Sequence, residues 1–147
     1  MLGEDDPDAP LVIRWRGKVP HLARPANGGL VLDASILPAR LGPRFVQVAA
    51  RTTPLLLQMA EHSVQRVEIV APDGFAPVAS KPPAIETPFG SFSRTDRVEG
   101  RTLVREERLE LARGRVPPDR YVEFAAFAGA VDAVQEQATA IDRAKAP

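Results

Sequence analysis

Residues Pro88–Val131 read PFGSFSRTDRVEGRTLVREERLELARGRVPPDRYVEFAAFAGAV, and the parsing of this stretch decides the fold. Glu99-Gly100 is turn chemistry of the kind that joins two antiparallel strands. The segment beyond it, Arg101–Leu111, pulls two ways. Its Glu, Arg and Leu content favours helix, and Leu103, Glu107 and Leu111 would share a helical face. Read as a strand, the same segment sets Leu103, Leu109 and Leu111 on one face. The residues alone leave both parses open. Pro117-Pro118 then opens a helix, because a proline in the first turn removes only an N–H that would be unpaired, and Asp119 suits the helix dipole there. Tyr121, Phe124, Ala128, Val131, Val134 and Ala138 recur at spacings of three and four, one buried stripe. Charged Arg120, Glu123, Asp132 and Glu136 lie opposite. The helix is expected over about residues 118–141, fraying beyond Ile141.

Upstream, short apolar runs alternate with turns. Leu11–Arg16 sets Leu11, Ile13 and Trp15 against arginines, the period-two mark of a half-buried strand. Residues 20–29 form a turn-rich connection, Leu30-Val31-Leu32 a short strand, and 37–48 a proline- and glycine-broken stretch that is strand or helical turn. Pro54–Met59 is read as extended and Val64–Ala71 as a strand, followed by the Pro72-Asp73-Gly74-Phe75 turn. Strands at such intervals predict a mainly β, antiparallel sandwich-like domain over 11–147, with one C-terminal helix. Residues 1–10, acidic and containing proline, are read as a flexible lead-in.

Composition narrows the function classes. The chain has 147 residues, 44% hydrophobic and 26% charged, enough to bury a core as one domain. Its formal net charge is zero, which argues against a nucleic-acid partner, since such binding draws on phosphate neutralisation. There is no cysteine, so disulfides and thiol chemistry are excluded. The first residues lack the apolar run of a signal peptide, and no window reaches the 18 or so apolar residues of a membrane span, so no membrane insertion is expected.

Five short stretches in order carry a family resemblance: Arg51-Thr52-Thr53-Pro54-Leu55, Ala71-Pro72-Asp73-Gly74-Phe75, Pro88-Phe89-Gly90-Ser91-Phe92, Gly114-Arg115-Val116-Pro117-Pro118 and Tyr121-Val122-Glu123-Phe124. Together, over about residues 30–135, they resemble the β-rich domain of unknown function that follows the transglutaminase-like core in bacterial multidomain proteins. The resemblance implies a sandwich-like domain with a C-terminal helix, one part of an envelope-associated (periplasmic or cell-envelope) protein. It also tips Arg101–Leu111 to a strand paired with Gly90–Val98. Two departures stand out. The cysteine of the transglutaminase-like core is absent. The short apolar strand that often closes such domains is not evident either, because Gln137–Pro147 is alanine-rich and charged.

Candidate sites are few. His21 lies in a proline-flanked loop, His62 stands beside Glu61 without a third ligand at metal-binding spacing, and no serine sits in a nucleophile elbow. No catalytic residue, metal site or cofactor is therefore expected. Glu106, Glu107 and Glu110 are read as solvated cross-strand partners of arginines. Possible surface contacts are Phe89 and Phe92, which flank Gly90-Ser91, and the arginines Arg94 and Arg105. The leading expectation is a non-catalytic accessory domain that contacts protein, either a neighbouring transglutaminase-like domain, as the resemblance implies, or an envelope protein. The alternative is a β-sandwich module for glycan or peptidoglycan fragments, using an exposed aromatic and nearby arginines.

Overall fold

The computed structural model describes residues 13, 14, 17, 22–33 and 35–144. The lead-in at 1–10 and His21 lie outside them. Of the strand expected at 11–16 only Ile13 and Arg14 are described, and both are exposed and outside any strand.

The chain is mainly β, with antiparallel sheets and one helix near its C-terminal end. Three long strands make the frame: β4 (Glu61–Val70), β7 (Gly90–Glu99) and β8 (Thr102–Leu111). The parsing conflict resolves to strand. β8 pairs over all ten residues with β4 on one side and with β7 on the other, and two full ladders override a helical preference of a few tenths of a kcal/mol per residue. The β7–β8 turn falls at Gly100, whose φ of +60° lies in the left-handed region. β6 (Ile85–Thr87) completes the sheet in the order β4-β8-β7-β6.

A second sheet runs β1-β2-β10-β5, and a two-stranded sheet joins β3 (Leu55–Leu57) to β9 (Gly114–Val116). β2 (Gly29–Leu32) is the short strand expected at Leu30-Val31-Leu32, and it forms a hairpin with β1 (Arg24–Ala26), which lies in the stretch read as a turn-rich connection. Between β2 and β3, the stretch read as strand or helical turn forms one short helix, α1 (Leu41–Phe45), and β5 (Phe75–Pro77) follows the turn at Gly74.

The C-terminal helix is shorter than expected. A 3-10 turn at Pro118–Arg120 leads into α2 (Tyr121–Gln135), and the chain then extends again as β10 (Thr139–Arg143). The closing strand that composition hid is therefore present. β10 sits inside its sheet, hydrogen-bonded to β2 on one side and β5 on the other. Its alternation buries Thr139 and Ile141, which is enough to fix a strand despite the charged neighbours.

The core lies where α2 covers one end of the long sheet. Tyr121, Phe124, Phe127, Ala128, Val131 and Val134 of the helix pack with Phe89, Phe92, Leu109 and Leu111, and with Leu41 of α1. Phe124 is the hub, its ring centroid 5.5 Å from that of Phe89 and 6.0 Å from that of Phe45, both edge-to-face. Asp132, on the less buried side of α2, accepts hydrogen bonds from the N–H groups of Leu41 and Gly42 at 2.8 Å. It thereby docks the start of α1, whose first amides have no intrahelical acceptor.

Candidate functional site

A buried polar cluster follows from strand register. In β8 the odd positions face inward, so Arg105 and Glu107 lie between buried Leu103 and Leu109 on one face. In β7 the matching face carries Phe92, Arg94 and Asp96. The ladder sets Arg94 opposite Glu107 and Asp96 opposite Arg105, two cross-strand ion pairs that run in opposite senses.

Every carboxylate oxygen in the cluster is occupied. Arg94 Nε donates to Glu107 Oε1 at 2.9 Å, and Ser35 Oγ reaches the same oxygen at 2.8 Å. Gln135 Nε2, from the end of α2, donates to Glu107 Oε2 at 2.7 Å, while Gln135 Oε1 accepts from the Ala39 amide at 2.8 Å. Arg105 grips Asp96 bidentately, Nε to Oδ1 and Nη2 to Oδ2, each at 2.8 Å, and its Nη2 also reaches Thr139 Oγ1 of β10 at 2.9 Å. Ser80 donates to Asp96 Oδ2 from its backbone N–H at 3.1 Å and from its hydroxyl at 2.8 Å. The network thus stitches the hairpin to the helix, to β10 and to the loops at Ser35 and Ser80.

Electrostatics follow the geometry. Burial pushes the Asp96 carboxyl up, but the bonds from Arg105 and Ser80 outweigh it and hold the group below the usual carboxylate range. Arg94 is shifted down, chiefly by burial and then by the nearby Arg105 cation, against the pull of Glu107. Its Nη1 is buried without a hydrogen-bond partner among the described residues. Beside the cluster, Leu32, Ser35, Gln65, Val67, Arg105 and Glu107 are among the residues around a cavity of about 10 Å³, the size of a single water.

These placements correct the expected surface contacts. Phe89, Phe92, Arg94 and Arg105 are 7%, 1%, 4% and 3% exposed, so none of the four presents a surface. Phe89 is covered by Phe124 and by the Arg120 guanidinium, 4.9 Å from its ring centre, and Phe92 is among the most buried large side chains. The two arginines point inward because their strand positions share the face of Phe92, Leu103 and Leu109. Glu107, expected to be solvated, is the centre of the cluster, whereas Glu110 is exposed. Asp96, Gln135, Ser35 and Thr139 were not singled out from sequence. The leucine alternation in β8 that marks the inner face also marks Arg105 and Glu107; Gln135, one residue past Val134, carried no comparable signal.

Two further features lie at the surface. His62 is exposed on β4, its Nδ1 3.1 Å from Glu110, while neighbouring Glu61 pairs with Arg44. At the β3–β9 sheet, Leu56, Leu57, Gln58, Arg113, Gly114 and Arg115 line an open groove of about 460 Å³. Among the described residues no helix is long and apolar enough to cross a membrane.

The model of the family DUF3858, described as a domain of unknown function with a solved structure, matches residues 36–141. The chain belongs to this family. No curated protein and no solved structure matches it. The DUF3858 match runs from before α1 into β10, so it takes in both ion pairs, Gln135 and Thr139. The β1–β2 hairpin and Ser35 fall before it.

Proposed function

We propose that this DUF3858 chain is a non-catalytic accessory module that works by contact with protein, set beside a transglutaminase-like core in a larger bacterial protein. The observation that carries this reading is the use made of the buried ionisable groups. Arg94, Asp96, Arg105 and Glu107 are committed to one another and to Ser35, Ser80, Gln135 and Thr139, and the adjoining cavity has room for about one water. A catalytic group needs a free lone pair or proton facing a space that a substrate can enter. Here every carboxylate oxygen of the cluster is spent on joining the hairpin to the helix, to β10 and to the loops, and Arg94 Nη1, which has no partner among the described residues, is buried. The five sequence stretches resembling domains that follow transglutaminase-like cores support the setting. The test is calorimetric titration of this chain with the transglutaminase-like domain encoded in the same reading frame. Saturable binding is expected; no binding, or a reading frame without such a domain, refutes the setting.

A second reading is favoured by the β3–β9 groove, where Arg113 and Arg115 stand beside exposed Leu56. Two guanidinium groups over an apolar floor suit a carboxylate-bearing ligand such as a peptidoglycan stem peptide. Titration with a muropeptide bearing free carboxylates is expected to saturate, and to fail with Arg113→Glu. Equal binding by the variant would remove the groove from consideration.

A further inference from the structure

β4 ends its sheet: β8 lies on one side, and among the described residues no strand pairs with the other. A ten-residue edge with unpaired backbone groups is a template for another strand. Its even positions face outward and are exposed, and they include two valines, Val64 at 48% and Val70 at 65%. Read along the strand, that outer face is His62, Val64, Arg66, Glu68, Val70, and its last four positions form a pattern. Read backwards those four are valine, glutamate, arginine, valine, the same apolar ends with the charges exchanged.

This pattern is self-complementary. Residues directly opposite in an antiparallel pair lie on the same face, so two copies of β4 can meet only in registers that set even positions opposite even ones. With Val67 opposite Val67, Arg66 faces Glu68 of the second copy, Val64 faces Val70, and two-fold symmetry repeats both pairs. Moving the centre to Arg66 sets like charges against each other and Val64 against Glu68. Centring on Gln65 sets Val64 against Arg66. Only the Val67 register, among these, matches charge with charge and apolar with apolar. In one copy Arg66 Nη2 pairs with Glu68 of its own strand at 2.9 Å, half-exposed on both sides, and such a contact is readily exchanged for one across a new ladder. The chain's formal net charge of zero leaves no general repulsion between copies.

We propose that β4 is the surface through which a second copy of this chain binds, in antiparallel register about Val67, extending one sheet across both protomers. This assignment stands apart from the proposed function, since the partner here is the chain itself. Sedimentation velocity on the whole chain, from micromolar to near-millimolar concentration, is expected to show a monomer–dimer equilibrium. Arg66→Glu or Glu68→Arg alone places like charges opposite each other twice per dimer, and each should raise Kd by about 10-fold or more. The double variant Arg66→Glu/Glu68→Arg should return to within about 3-fold of the original chain. An equimolar mixture of the two single variants should form a heterodimer. A chain monomeric at every concentration overturns the proposal and leaves the edge to a different protein or another segment of this chain. A dimer indifferent to both charge reversals overturns it as well, since that dimer uses another surface.

Discussion

Replacing Glu107 by Gln keeps the shape of the side chain and removes its charge, which isolates what the buried pair contributes. Glu107 accepts from Arg94, Ser35 and Gln135, and the Arg94 side chain facing it is fully buried. Opposite unit charges about 4 Å apart attract by about 4 kcal/mol at an effective dielectric constant of about 20. With the carboxylate gone, Arg94 remains a buried cation facing a neutral amide. The new NH2 group meets donors, Gln135 Nε2 on one side or the Arg94 and Ser35 groups on the other, so at least one hydrogen bond is lost too. Removing one member of such a pair costs about 3–5 kcal/mol. Had Glu107 been solvated, the change would cost less than about 1 kcal/mol. Urea unfolding followed by far-UV circular dichroism separates the two, because at an m-value of about 2 kcal/mol/M the midpoint should fall by roughly 2 M with m unchanged. A loss below about 1 kcal/mol would show that the cluster is wet and that its bonds do not hold the hairpin to the helix.

Other outcomes follow from single sites. Phe124→Ala empties the hub between Phe45, Phe89 and Phe127 and should cost about 3–5 kcal/mol in the same melt; an unchanged midpoint would mean the helix does not pack there. Asp96→Asn should destabilise at neutral pH. Because Asp96 titrates below its unfolded value, its contribution is complete above about pH 4 and fades as pH falls through the folded value, so the gap to the original chain should narrow on acidification; a gap that widens would reverse the sign assigned to this group. Gly90 has φ +153°, and a Cβ there would sit 1.9 Å from the Glu110 carbonyl oxygen, so Gly90→Ala should cost about 3 kcal/mol or more. Gly100, with open space around it, should lose only about 1 kcal/mol on the same change. Equal costs at the two glycines would contradict the close approach of β7 to β8.

Part of the frame was readable from Glu99-Gly100 as a turn and from the stripe of Tyr121 to Val134, whereas Arg101–Leu111 stayed open between helix and strand on its residues alone and was tipped to strand only by the family resemblance. Misreadings arose where local composition opposed a tertiary partner. Thr139–Arg143 looked like a fraying helix end, and only its place between β2 and β5 makes it a strand. The short strands β1, β5, β6 and β9, three residues each, are too brief for periodicity to register. The site was misjudged by residue type rather than by pattern. Arg94, Arg105 and Glu107 were assigned to solvent because charged side chains are seldom buried, although their strand parity put them with Phe92 and Leu103. The compensating partners come from Ser35, Ser80, Gln135 and Thr139, up to 72 residues away along the chain, a distance that no local pattern spans.

The sharpest probe of the buried charges as architecture is a double-mutant cycle between Arg94 and Glu107, with Arg94→Met, Glu107→Leu and the combined variant each unfolded in urea. Removing either partner alone should be costly and removing both should recover much of the loss, for a coupling of about 2 kcal/mol or more. Single losses that simply add would mean the two side chains do not depend on each other, and the buried hairpin network would not be what joins sheet to helix.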